Sequence, residues 1–344
     1  LDSAAPKTLY RSEVKSPYFV DKSMVLKELF QFMKTRNKHI CITRPRRFGK
    51  TVMTNMIASF FTDAQDSSDI FDHLKIAKDD DYKTYLNQYK VIQINFSEMP
   101  DECEDYKKYI RRINKLLKED LKELYPQLKL DYEDTIKDLL RKIYERTGDE
   151  FIFVFDEWDY IFHEWFMTDR DKDEYLAFLS TLLKDQPYVK MTYMTGILPI
   201  AKYSSGSKLN MFVEYTMASE ERFSDAFGFT DSEVDELFKR YQKNTEKQNL
   251  TREDLRIWYD GYHTKSGERM YNPRSVVVAL TNNNLGNYWT NSGPYDEIYS
   301  YIEHNVDDVR DDIALMVSGE AVPARVREYA INAISSLTSS TLCS

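Results

Sequence analysis

Gly49, Lys50 and Thr51 follow one another directly after an apolar run and a turn. A phosphate-binding loop has this arrangement, because glycine lets backbone N–H groups approach phosphate oxygens, lysine reaches the β- and γ-phosphates, and the hydroxyl binds Mg²⁺. The helix predicted from Thr51 to about Phe61 directs its positive end towards the same anion. The full pattern has another glycine five residues before Gly49, where this chain has Arg44. A basic surface turn is the alternative interpretation.

An acidic pair lies about a hundred residues further along, at the end of a second apolar run. Residues 151–162 read Phe-Ile-Phe-Val-Phe-Asp-Glu-Trp-Asp-Tyr-Ile-Phe, a β-prone segment that includes Asp156 and Glu157. A buried parallel strand presents carboxylates at its carboxyl end in this way. Asp156 suits Mg²⁺ binding through water, and Glu157 suits orienting an attacking water. A core strand followed by a solvated acidic turn is the alternative interpretation.

The elements around these segments alternate between strands and helices. Strands are predicted at 39–43, 91–96, 151–156 and 189–196, and helices at about 24–34, 51–61, 104–124, 131–147 and 171–185. This order predicts an α/β fold whose mainly parallel sheet is flanked by helices and binds its ligand at the carboxyl ends of the strands. Lys50, Asp156 and Thr195 are expected at that edge. Thr195 is a candidate contact for γ-phosphate or water, or a hydroxyl that satisfies nearby backbone.

Composition limits the classes of partner. The chain has 344 residues, 42% of them hydrophobic, and its 47 basic and 57 acidic side chains give a net charge of −10. An acidic chain has no global attraction for nucleic acid or anionic membrane, so such binding requires a local patch. Three widely spaced cysteines argue against a disulfide framework or a zinc site. Without a bilayer-spanning run or a signal-peptide pattern, we expect a cytoplasmic protein, although the sequence begins with Leu1 and an earlier segment can be missing.

Seven short motifs resemble those of the AAA-ATPase-like family, P-loop ATPases that commonly carry a C-terminal domain of the PD-(D/E)XK nuclease superfamily. The motifs lie in family order at residues 18–22, 43–51, 155–159, 195–202, 227–230, 258–262 and 271–275. The family's nucleotide loop characteristically reads Arg-Pro-Arg-Arg-Phe-Gly-Lys-Thr, as residues 44–51 do here, so the resemblance accounts for Arg44.

The resemblance implies ATP and Mg²⁺ binding, with hydrolysis. It assigns nucleotide binding to Arg44, Pro45, Arg46, Arg47, Phe48, Gly49, Lys50 and Thr51, metal binding to Thr51 and Asp156, and catalytic roles to Lys50, Glu157 and Thr195. The three loop arginines are predicted either to neutralise phosphate charge or to receive the nucleotide of a neighbouring subunit. Solvated or carboxylate-paired arginines are the alternative.

The chain also departs from the family pattern. Arg274 stands where the family usually has tryptophan, and Trp158 stands where tyrosine is common. No convincing Glu-X-Lys nuclease site follows residue 290. We therefore expect an AAA-like P-loop ATPase domain at 10–215 and a smaller helical lid-like domain at 216–290. The segment at 291–344 is expected to be a truncated C-terminal remnant of a nuclease-like domain.

The functional hypothesis is an Mg²⁺-dependent ATPase that couples its nucleotide state to conformational change. One alternative is a nucleotide-gated scaffold with little turnover, whose protein partner docks on the lid-like domain. Another is the ATPase subunit of a DNA-processing or defence system, which the nuclease-bearing relatives suggest and against which the acidic net charge counts. A homo-oligomer or a protein partner is compatible with each, and no membrane partner is expected.

Overall fold

A computed structural model of the chain describes residues 3–131, 133–203, 207–217 and 221–288. Its helices are α1 Ala5–Val14, α2 Val25–Met33, α3 Lys50–Phe61, α4 Ser68–Phe71, α5 Tyr82–Tyr85, α6 Tyr106–Leu124, α7 Ile136–Thr147, α8 Asp169–Leu183, α9 Ile200–Tyr203, α10 Asp231–Asn244, α11 Arg252–Tyr259 and α12 Pro273–Asn282. Its strands are β1 His39–Thr43, β2 Lys90–Asn95, β3 Phe151–Asp156, β4 Val189–Gly196, β5 Val213–Tyr215, β6 Phe229–Thr230, β7 Asp260–His263 and β8 Arg269–Tyr271. The segment predicted at 291–344 lies outside the described residues.

Five strands form a parallel sheet in the order β2-β3-β4-β1-β5. Strand β4 therefore lies between the strand that precedes the phosphate loop and the strand that ends in the acidic pair. Ile42 of β1 pairs with Thr195 of β4, and Asn95 of β2 pairs with Asp156 of β3. Because all five strands run in one direction, their carboxyl ends meet at one edge. The predicted α/β fold with a parallel sheet is confirmed.

The sheet is buried on both faces, which explains the unbroken apolar runs of its central strands. Successive side chains of β3 point to opposite faces, so Ile152 and Val154 pack with α2 and α3, whereas Phe153 and Phe155 pack with α6, α7 and α8. Burying one such phenylalanine contributes about 1.5–3 kcal/mol. This two-sided core fixes the position of the acidic pair at the end of β3.

A second, smaller layer follows the parallel sheet. Strands β6, β8 and β7 form an antiparallel sheet in that order, and α10, α11 and α12 pack around a third apolar core. Helix α10 begins at a capping box in which Thr230 and Glu233 satisfy each other's backbone N–H groups. The sequence predicted only helices in this region. The three additional strands are two to four residues long, too short to show an alternating pattern.

Candidate functional site

The loop after β1 turns sharply into α3. Arg47 and Gly49 have φ angles of 68° and 90°, and α3 begins at the next residue, Lys50. A Cβ atom on Gly49 would meet no atom within 4 Å, so its left-handed backbone and not a lack of space requires glycine here. The N-terminus of α3 consequently faces the carboxyl edge of the sheet, where its free N–H groups can bind an anion.

Lys50 is held inside this loop. Its side chain is 4% exposed, and its Nζ atom donates to the carbonyl oxygens of Arg44 and Pro45 at 3.3 Å each. The same atom lies 3.9 Å from Oε1 of Glu157. Burial lowers the pKa of the Lys50 ammonium, while the negative charges of Glu157 and Asp156 oppose that shift. The ammonium is thus placed between the loop and the acidic pair, where an anion can bind it.

Asp156 and Glu157 reach the same place from β3. Asp156 is 1% exposed, and its Oδ2 atom lies 3.4 Å from the hydroxyl of Thr54 on α3. Burial raises the pKa of Asp156, although a hydrogen bond from Thr51 and the charge of Lys50 oppose the shift. Glu157 has a φ of 51° and a partly exposed side chain, and burial likewise raises the pKa of its carboxyl. The hydroxyl of Thr51 and the carboxylate of Asp156 are oxygen ligands of the kind that Mg²⁺ prefers.

Arg44 has a different environment from the one expected for a phosphate ligand. Its side chain is buried, and its guanidinium donates to the carbonyl oxygens of Thr43, Tyr215 and Phe223 at 2.8–3.0 Å. The guanidinium also lies 5.0 Å from the ring centre of Phe227. A nucleotide contact by this side chain would require these bonds to break. Arg44 therefore connects the loop to the segment that leads into the second layer, and the alternative of an exposed or carboxylate-paired arginine does not describe it.

Arg46 and Arg47 differ from Arg44 because both are exposed at the mouth of the cavity beside Lys50. Arg274, at the start of α12, lines the same cavity and is close enough to Arg47 to contribute to the lowering of its pKa, which burial dominates. The three guanidiniums together supply positive charge to the lining of the cavity.

Thr195 is buried at the end of β4, and its hydroxyl donates to the carbonyl oxygen of Ile42 at 2.9 Å. This contact agrees with the interpretation of Thr195 as a strand-end hydroxyl that satisfies nearby backbone. Its catalytic role stays a prediction.

A cavity of about 600 Å³ joins these residues to an apolar region. Its polar lining includes Lys50, Thr51 and Glu157. Its apolar lining includes Tyr18, Phe19, Val20, Val52, Met53, Met56, Phe229, Val277 and Val278. None of these apolar residues was predicted from the sequence to bind a ligand. The motif at 18–22 was noticed in the sequence, but nothing local indicates that it contacts a loop about 30 residues away.

The parallel sheet and the turn from β1 into α3 define an α/β protein whose fold is consistent with that of P-loop proteins. The chain belongs to the predicted AAA-ATPase family, whose model matches residues 11–205. It is 24% identical over 281 residues to a protein of Azotobacter chroococcum mcd 1 described as an uncharacterized protein in vnfD 5'region. The match covers 80% of this chain and 51% of that protein, so the chain spans about half the length of its relative.

In the described ranges, no three His, Cys, Asp or Glu side chains converge on a point where a metal ion could be held. Every helix in them is too short or too polar to cross a membrane.

Proposed function

We propose that this protein binds ATP with Mg²⁺ and hydrolyses it, and that the nucleotide state changes the relation between the two layers of the molecule. The observation that carries the proposal is the convergence of Lys50, Asp156 and Glu157 beside a cavity that Lys50 and Glu157 line together with apolar side chains. A nucleotide has the matching division into a polyanionic part and a flat, largely apolar base. Family membership supports the same conclusion.

Each polar residue has a defined task in this proposal. Lys50 and the N–H groups at the start of α3 would bind the phosphates, and Thr51 and Asp156 would hold the metal. Mg²⁺ neutralises charge on the phosphate oxygens when it is bound. Glu157 orients the attacking water, and its raised pKa makes its carboxylate a better proton acceptor than an exposed glutamate. Arg46 and Arg47 supply further positive charge.

The base is assigned to the apolar side chains that line the cavity. Tyr18, Phe19 and Val20 approach it from the N-terminal segment, whereas Val277 and Val278 approach it from α12. A bound nucleotide would therefore contact both the parallel sheet layer and the second layer. This bridging supports conformational coupling and also the proposed division into an ATPase domain at 10–215 and a lid-like domain at 216–290.

The test combines nucleotide binding with hydrolysis for the parent chain and two variants. We expect Lys50→Ala to weaken ATP binding at least tenfold and Glu157→Gln to retain binding while turnover falls about 100-fold or more. Lys190→Ala is the matched control, because Lys190 lies on β4 and pairs with Glu150 at 3.0 Å, near the amino end of the sheet. Normal binding and turnover by Lys50→Ala would refute the assignment.

Binding without turnover in the parent would instead support the nucleotide-gated scaffold. In that case a second subunit or a partner protein would have to complete the catalytic site. Titrating protein concentration in the hydrolysis assay separates these outcomes, because completion by a second copy makes the specific activity rise with concentration.

A further inference from the structure

One face of α6 is strongly basic. Its members, which we call the α6 basic face, are the exposed side chains of Lys107, Lys108, Arg111, Arg112 and Lys115. The sequence contains no aspartate or glutamate between residues 106 and 118. At 3.6 residues per turn, the five cations occupy about 140° of the helix circumference. This is a local exception in a chain with a net charge of −10.

Helix stability does not account for this arrangement. The positive end of the helix macrodipole lies at the N-terminus, so cations are favourable near the C-terminus and unfavourable in the first turns. Lys107, Arg111 and Lys115 are also spaced four residues apart, where like charges repel. A sequence selected only for a stable α6 would place acidic residues here. The presence of these five cations is therefore not explained by the stability of α6.

The protein compensates only part of this charge. Lys115 lies 3.8 Å from the exposed Glu119, Lys108 donates to the carbonyl oxygen of Glu102, and Lys107 interacts electrostatically with Asp171 on α8. Arg111 and Arg112 form no salt bridge with a described residue. An acidic segment at 101–105 precedes the helix, but its carboxylates stand before the first turn, where they suit the macrodipole.

The start of α6 lies close to the candidate nucleotide site. The hydroxyl of Tyr109 donates to the carbonyl oxygen of Phe96 at 2.8 Å, which fixes the start of α6 against the end of β2. Asn95 and Ser97, at the same end of β2, line the cavity. Tyr109 is on the buried side of α6, so the basic face is turned away from this contact while its helix is anchored beside the edge at which the nucleotide is proposed to bind.

We propose that the α6 basic face binds the phosphodiester backbone of a nucleic acid. A row of cations without interspersed carboxylates matches a polyanion of uniform charge, which nucleic acid is. A membrane fits less well, because Tyr109, Leu117 and Leu121 on the opposite face are buried in the protein core and cannot insert into lipid.

The experiment measures anisotropy of a dye-labelled DNA duplex of about 20 base pairs, and of a single strand of equal length, over a salt series with the full chain and no nucleotide. Affinity for the duplex is expected to fall with salt with a log–log slope no steeper than about −4.5, the value for five contacts. The double variant Arg111→Gln/Arg112→Gln should lose at least tenfold in affinity at low salt and about 1.8 from the slope. The control Lys243→Gln/Lys247→Gln changes net charge equally at two exposed sites of the second layer and should bind as the parent does.

Three outcomes would overturn the proposal. They are no DNA binding at about 50 mM salt, equal affinities of the α6 variant and the parent, and displacement of the DNA by poly-glutamate at equal charge concentration, which would indicate an acidic protein as the partner. Circular dichroism of the variant shows whether α6 remains folded. The result is independent of ATP hydrolysis, because the assay contains no nucleotide.

Discussion

The ring of Phe48 packs edge-to-face against the ring of Tyr262, with centroids 4.6 Å apart and planes at 79°. Phe48 precedes Gly49 in the phosphate loop, whereas Tyr262 lies on β7 of the second layer. The N–H group of Gly228 also donates to the carbonyl oxygen of Phe48 at 3.4 Å, and a Cβ on Gly228 would lie 3.0 Å from the Phe48 ring. The phosphate loop is thus built against the second layer.

This contact predicts an effect of Tyr262 on nucleotide affinity, although Tyr262 is not among the residues that line the cavity. Tyr262→Ala removes an aromatic pair worth about 0.5–1.5 kcal/mol and loosens the loop, so we expect nucleotide affinity to fall by about 2- to 12-fold. Titration with a fluorescent nucleotide measures the change. Trp258→Ala, at a half-exposed position on α11, is the control, and equal affinities of the two variants would contradict the prediction.

Glu157→Gln, which is expected to lower turnover, should also stabilise the folded protein at neutral pH. Burial raises the pKa of Glu157 above its ordinary 4.5, so the folded protein binds this proton more tightly than the unfolded chain. That stability is present below pH 4.5 and is lost as the pH rises through the folded pKa. The variant should therefore melt about 1–3 °C above the parent at pH 7.5, with a difference that shrinks as the pH approaches 4.5. A thermal melt at several pH values tests this, and a difference that does not vary with pH would count against it.

Replacing Arg44 by the glycine of the full phosphate-loop pattern should destabilise the protein. Arg44→Gly leaves the carbonyl oxygens of Tyr215 and Phe223 without their buried donor, at a cost of about 2–4 kcal/mol in the free energy of unfolding. Arg44→Lys restores the charge but not the planar fork, so it should recover only part of the loss. Urea denaturation measures both values. A glycine variant as stable as the parent would show that Arg44 does not connect the loop to the second layer.

Gly196→Ala should be strongly destabilising because no space exists for a methyl group. A Cβ there would lie 2.5 Å from Oδ1 of Asp159 and 2.6 Å from Cδ1 of Trp158, both buried. The Oδ2 atom of the same aspartate accepts the next two backbone N–H groups at 3.0 Å each, so the clash also disturbs the end of β4. The comparison is Gly148→Ala, whose Cβ would meet nothing within 4 Å and whose φ of 77° costs only about 1–2 kcal/mol. Similar losses in a denaturation experiment would refute the steric explanation.

The sequence by itself predicted the parallel sheet and the polar residues of the candidate site. The run at 151–156 is apolar at every position before Asp156, which together with its β-prone residues is typical of a strand buried on both faces. Gly49, Lys50 and Thr51 are adjacent in the chain, so their spacing is local and their relation to the following helix is set by backbone geometry. Patterns of this kind need no knowledge of distant contacts.

Only the tertiary structure determined which apolar residues line the cavity and which groups Arg44 binds. The carbonyl oxygens that accept from Arg44 at positions 215 and 223 lie 171 and 179 residues away in sequence, and the apolar walls come from segments near residues 20 and 277. No local pattern encodes such pairings, because a side chain's partners depend on which surfaces the fold brings together. Arg44, which the sequence predicts to be a phosphate ligand, is therefore a buried side chain that connects the loop to the segment before the second layer.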